Sequence, residues 1–204
     1  MSKIEIDSLN DLIMRKYPTE YIKKIIDDVL SISMLVKNDY PDYKEWFLNK
    51  QVPGIYDGSR NIIVAHINDQ ILGFVSLKQD SAEKKICTFY VAKTFRKNKV
   101  GSILTKESTE WLECDKPLIT IPNDKLFDFI GIAHKYGWEV TDIKNGLYRA
   151  NNPEIILNGA IATINTESTE SKTKNKSLTH IWFFYQLDKV KSNFSLLKNI
   201  LKRI

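Results

Sequence analysis

The sequence predicts a mixed α/β (α+β) domain with a C-terminal extension, and three observations carry that expectation. Short runs rich in β-branched and aromatic residues recur at 61–67, 71–79 and 84–93, with the length and composition of strands. Apolar residues at helical spacing fill 19–36, and 125–137 reads as a helix closed by Gly137. Near residue 160 the composition changes: "IATINTESTESKTKNKS" is Thr, Ser, Lys, Asn and Glu with almost no large apolar side chain, the makeup of a linker rather than a core.

Taken in order, "KIEI" (3–6) predicts a short first strand. Tyr21, Ile22, Ile25, Ile26, Val29 and Leu30 form the apolar face of the first helix, with Thr19 near its cap. Pro41 opens a second, "PDYKEWFLNKQ", proline being favoured at a first helical position. "VPGIYDGSR" (52–60) reads as loop from its Pro and Gly residues. "NIIVAHI" and "ILGFVSLKQ" are strands joined by the hairpin "NDQ", and "KKICTFYVAK" is a third. A helix over about 100–113, the buried strand "PLITIP" and the helix 125–137 follow, and "WEVTDI" and "EIILNG" close the series as strands. The order is an antiparallel meander feeding a βαβ unit.

The expected organisation is a domain over 1–160, a flexible polar linker over 161–178, and an apolar strand plus basic amphipathic helix over 179–204. Within the last, "IWFFYQL" (181–187) is too apolar for water, so it is expected to join the sheet or to face a second copy of the chain as a homodimer.

Composition narrows the function classes. In 204 residues, 43% are hydrophobic and 11% aromatic, enough for a core and against global disorder. No apolar run reaches membrane-spanning length. "MSKIEIDSLND" has acids where a signal peptide has its apolar stretch, and Cys87 and Cys114 show neither CxxC nor zinc-type spacing. A cytoplasmic protein with reduced thiols and no metal is the expectation. The net charge of +5 favours anionic partners weakly. Nucleic acid is left open but not favoured, because the single basic cluster lacks interleaved aromatics.

That cluster lies in "VAKTFRKNKVGSILTK" (91–106), where Arg96, Lys97 and Lys99 stand just before a helix. A first helical turn has unpaired N–H groups and the positive end of the macrodipole, Gly101 lets a ligand approach the backbone, and Arg96 can pair bidentately with phosphate. The bland alternative is a solvated cationic loop.

Val91, Arg96, Val100 and Gly101, in register after a strand and before a helix, resemble the acetyl-CoA signature of the GNAT acetyltransferase superfamily. The resemblance covers about 20–159, including "YGW" (136–138) where relatives often carry Gly-Phe. It departs in two places: Lys93 replaces a common proline, and Lys99 stands where the first glycine is expected.

The resemblance implies a mostly antiparallel central sheet flanked by helices, and an acyltransferase moving acetyl from acetyl-CoA directly to an amine. The acceptor is left open among a protein lysine, a protein N-terminus and a small molecule. It implies that backbone groups of Phe89, Tyr90 and Val91 pair with the pantetheine arm, the Val91 amide also polarising the thioester. Amides of Lys97, Asn98, Lys99, Val100, Gly101 and Ser102 would hold the pyrophosphate, with Arg96 at its entry. The acid of relatives, a tyrosine four residues before the glycine, falls on Ala133, and a general-base glutamate six residues before the valine falls on Lys85. Tyr136 and His134 are the substitutes for the acid, against a reading of both as groove packing. Glu83 reads as solvated, and Cys87 as a small buried hydrophobe. Trp46, Phe47, Tyr56 and Trp138 are acceptor-pocket candidates, with core packing favoured. The rival readings are a non-catalytic acyl-CoA-binding regulatory module and a toxin-like acetyltransferase acting on aminoacyl-tRNA.

Overall fold

A computed structural model of the chain describes residues 3–36, 40 and 42–161. The segments read as polar linker and as C-terminal strand and helix, and with them the expected dimer contact, lie from residue 162 onward outside the described residues.

One sheet of seven strands organises the domain: β1 (Glu5–Ser8), β2 (Arg60–Ile67), β3 (Gln70–Gln79), β4 (Lys84–Val91), β5 (Leu118–Pro122), β6 (Val140–Arg149) and β7 (Asn152–Leu157). Their spatial order is β1-β2-β3-β4-β5-β7-β6, and every pairing is antiparallel except β4 with β5. This is the expected meander and βαβ unit.

The strand alternation makes two cores. Ile62, Val64 and Phe74 face α1 (Leu9–Met14), α2 (Thr19–Ser33), α3 (Tyr43–Trp46) and α4 (Val52–Asp57). Ile63, Ala65 and Val75 face α5 (Val100–Trp111) and α6 (Leu126–Tyr136). Neighbouring residues of one strand thus feed opposite layers, as a period of two requires.

Two expectations are corrected. The loop read over 52–60 is helical as far as Asp57: a π turn, Phe47–Gln51, joins α3 to α4 in one continuous run, and Pro53 falls just after it, where the widened π turn accommodates a residue without an N–H. Gly54 is there for close approach. A Cβ would stand 2.6 Å from Cδ of Arg60, so the glycine is what lets that side chain cross the helix. The other correction is α1, which the sequence reading omitted. It is capped by Ser8, whose Oγ accepts from the Asp11 amide at 3.4 Å.

α6 ends as expected. Gly137 has φ 63, its amide donates to the His134 carbonyl, and the Trp138 amide donates to that of Ala133 at 2.8 Å, the paired bonds of a Schellman stop.

Candidate functional site

The site begins with an irregularity in β4. Ser76 of β3 pairs with Thr88 and Leu77 with Ile86, so Cys87 is an extra, unpaired residue. A bulge of this kind bends its strand and interrupts pairing. On the other side, β4 pairs with β5 only at Lys85↔Leu118 and Ile86↔Ile119. From Cys87 to Val91 the edge of β4 has no registered partner in β5, and a cleft of about 550 Å³ opens there. Residues 86–91, Thr120 and Pro122 of β5, Lys93, Arg96, and Asp128 and Phe129 of α6 line it.

The free edge has defined polarity. The Ala92 amide donates to Leu72 at 2.9 Å, toward β3. By antiparallel alternation the amides of Val91 and Phe89 point the other way, into the cleft. Arg96 confirms the direction, since its Nε donates to the Val91 carbonyl at 3.2 Å. Its Nη1 donates to Asp128 Oδ2 at 2.8 Å, which fixes the guanidinium between loop and α6. Being exposed, this pair contributes little stability.

Next to this cleft lies a second hollow of about 430 Å³ at the start of α5, lined among others by Arg96, Lys97, Lys99, Gly101, Ser102 and Phe127. The amides of Val100, Gly101 and Ser102 have no carbonyl four residues back within α5. Lys99, with φ 65 and ψ −5, is left-handed and turns the chain into the helix; Lys97 is left-handed too, with φ 67. Such conformations gather successive N–H groups into an anion-binding concavity. Residues with a Cβ adopt them at a cost, so Lys99→Gly is expected to stabilise the fold by about 1 kcal/mol in denaturant unfolding. A Cβ built on Gly101 would meet Ile132 at 3.3 Å and Phe89 and Val91 at 4.0 Å. It would therefore project between β4 and α6, into the space a ligand would cross.

A third cavity, about 340 Å³, opens on the α3 side and is lined by Tyr40, Asp42, Tyr43, Trp46, Lys85, Cys87, Thr88, Leu147 and Tyr148. Cys87 and Thr88 line this cavity and the cleft alike, so the two meet at the bulge. Below them, Thr88 Oγ1 donates to Tyr43 Oη at 3.3 Å, Tyr43 Oη donates to Ser33 Oγ at 3.2 Å, and Ser33 Oγ donates to the Val29 carbonyl at 2.6 Å. Burial pushes the Tyr43 phenol above its ordinary pKa, against the pull of hydrogen bonds with Ser33, Thr88 and Ser76. Burial likewise pushes the Cys87 thiol up, with the Lys85 and Arg60 cations opposing; the thiol is held as a thiol.

The structure brings Phe89, Tyr90, Val91 and Arg96 together along the cleft, and Arg96, Lys97, Lys99, Gly101 and Ser102 around the adjoining hollow. Asn98 is exposed and Val100 is buried in the core beneath α5, and neither lines these spaces. His134 lies exposed on α6, and Tyr136 donates its hydroxyl to the Ser102 carbonyl at 3.2 Å; neither lines the three cavities. Ala133, 4% exposed, belongs to the core, so helix phase leaves no room there for a tyrosine. Lys85 lines the third cavity, while Glu83 pairs with Lys78 at 2.9 Å away from it. Of the four aromatic candidates, Trp46 lines that cavity, Phe47 and Trp138 are core, and Tyr56 is 58% exposed.

Asp128, Tyr40 and Tyr148 were not singled out by sequence. They reach the site through contacts between distant segments, and no local pattern marks them. Among the described residues no three His, Cys, Asp or Glu side chains gather as a metal site, and no helix is long and apolar enough to cross a membrane.

Residues 42–125 match the family model of the acetyltransferase (GNAT) domain. No curated protein matches the chain. Among solved structures, a GNAT-family protein from Desulfovibrio desulfuricans is similar at TM-score 0.50 and 10% identity, over 76% of this chain and 97% of that one. The PaiA N-acetyltransferase of Thermoplasma acidophilum, in complex with coenzyme A, gives 0.49 and 19%, over 76% and 97%. Nourseothricin acetyltransferase gives 0.45 and 18%, over 50% of this chain, which spans 65% of its length. The family match runs from α3 through the bulged strand and the α5 loop to the residue before α6, the stretch that builds most of the cleft: this part of the chain is similar to the GNAT acetyltransferase domain.

Proposed function

We propose that the chain is an N-acetyltransferase that moves the acetyl group of acetyl-CoA directly to an amine. The observation that carries this is the continuity of the cleft: an unpaired β4 edge runs from the bulge at Cys87 into the left-handed loop and the free amides of α5. An extended amide-bearing arm pairs with such an edge as an added strand does, and a pyrophosphate suits the helix start with Arg96 and the two lysines beside it. These residues fit acetyl-CoA, which when bound supplies the activated acetyl thioester.

In this reading the amides of Phe89 and Val91 hold the arm, and a strand amide polarises the acyl carbonyl. Thr88 and Cys87, at the junction with the third cavity, mark where the amine meets the carbonyl. The raised thiol of Cys87 argues against an acetyl-cysteine intermediate and for direct transfer. With His134 exposed and Tyr136 bonded to Ser102, we assign the proton route to water. Two unpaired cysteines suit the cytoplasm.

A thermal scan tests the cofactor. Acetyl-CoA at about 100 times its dissociation constant should raise stability by about 2.7 kcal/mol, a shift of roughly 5–10 °C that survives moderate salt. No shift at millimolar ligand overturns the reading. The vacant acid position at Ala133 favours a second reading, a regulatory acyl-CoA-binding module, which predicts the same shift but no turnover with any amine.

A further inference from the structure

The third cavity has its own chemistry. Two aromatic pairs wall it: Tyr43 and Trp46 on α3, ring centroids 5.4 Å apart, and Tyr40 with Tyr148 of β6, 5.0 Å apart and edge to face. Lys85, Cys87 and Thr88 of β4 supply its polar side, where it joins the cleft, and Asp42 is exposed. Its volume is at the low end for ligand pockets, which run about 300–1,000 Å³. That suits a small molecule.

We infer that this cavity is the acceptor site and that it takes a primary amine carried on a single aromatic ring, in preference to a polyamine or other polycation; the acceptor role rests on the transferase reading, the ligand chemistry does not. Aromatic walls set at tilted and edge-to-face angles accept another ring in the same geometries. An aromatic cage also attracts cations, but here cations already occupy its surroundings. The Arg60 guanidinium sits 5.6 Å from the Trp46 ring centroid, held in place by Gln51 Oε1 at 3.3 Å and by the space over Gly54. Lys85 lines the cavity itself.

A polyamine must leave charged ammonium groups in the pocket after one amine turns neutral for attack. Among the described lining residues only Asp42 is a carboxylate to receive them, and it is exposed. A monoamine leaves none. Nearby positive charge also favours the neutral, nucleophilic form of that amine, which offsets the vacant general-base position.

The test measures binding and turnover separately. Saturation-transfer NMR of phenethylamine and of spermidine, each with the full chain without cofactor, reads occupancy of the cavity directly. Phenethylamine should show saturation on its ring protons, lost in Tyr148→Ala and in Trp46→Ala. Tyr148 is 38% exposed, so its variant is expected to fold even if that of Trp46 does not. With acetyl-CoA present, kcat/KM for phenethylamine should exceed that for spermidine at least tenfold, and Tyr148→Ala should raise KM for the aromatic amine with little change in kcat. Spermidine bound or acetylated in preference, or phenethylamine saturation unchanged in Tyr148→Ala, overturns the inference. Ring saturation that depends on Tyr148 but comes with no turnover upholds the ligand class and overturns the transferase reading instead.

Discussion

Gly101→Glu is expected to abolish the response to acetyl-CoA while leaving the protein folded. The Cβ position at residue 101 faces Ile132, Phe89 and Val91 at 3.3–4.0 Å, so it looks between β4 and α6 toward the hollow lined by Arg96, Lys97 and Lys99. A glutamate there fills the approach and sets a carboxylate where a pyrophosphate would dock, at the helix turn whose amides would otherwise hold it. The loss should be complete: the stabilisation of about 2.7 kcal/mol expected for the wild type at about 100 times the dissociation constant falls to none. The fold should survive, because Gly101 is half-buried at the surface of α5 and a carboxylate in a first helical turn suits the macrodipole. Gly101→Ala separates bulk from charge, since its Cβ needs only a small shift of the Ile132 methyl. A wild-type thermal response in Gly101→Glu would remove the loop from the binding site.

What could be seen in the sequence followed from how local the cause was. The strands 61–67, 71–79 and 84–91 and the helices α2, α5 and α6 show their period within a few residues, because burial on one face selects side chains at fixed spacing. α1 was legible in principle. "SLND" (8–11) carries the Ser-x-x-Asp pattern of a capped start, but six residues are too few to display a helical face. Pro53 and Gly54 were misleading for the opposite reason: each sits inside a helix, one just after the π turn and one under Arg60. The basic loop before α5 was legible because strand, cations, glycine and helix are consecutive. The bulge at Cys87 was not, since it exists only in the register of β4 against Ser76 and Leu77. The third cavity was hidden for the same reason, as Tyr40 and Tyr148 meet only after β6 folds back beside α3. The sequence located the basic loop before α5 and left the third cavity to tertiary contacts.

Gly73→Ala should destabilise the protein and weaken acetyl-CoA together. Gly73 lies in the interior of β3 opposite Val91, a position where glycine marks close approach of another backbone. A Cβ there would stand 2.6 Å from the Tyr90 carbonyl oxygen, 3.1 Å from Leu104 and 3.2 Å from the Val91 Cα. The nearest obstacle is backbone and cannot rotate aside, so the end of β4 must move. Overpacking of this kind costs about 1–3 kcal/mol, or roughly 2–12 °C in melting temperature at this size. The displaced residues are those whose amides line the cleft, so the dissociation constant for acetyl-CoA should rise as well, which a merely structural loss elsewhere would not produce. Gly131→Ala is the matched control. Its Cβ meets nothing within 4 Å, and in the middle of α6 an alanine should stabilise by about 0.5–1 kcal/mol. Urea unfolding of the two variants gives opposite signs of stability, and acetyl-CoA titration of Gly73→Ala gives a raised dissociation constant. If Gly73→Ala instead keeps both wild-type stability and wild-type affinity, then the close approach of β3 to the end of β4 does not shape the cleft.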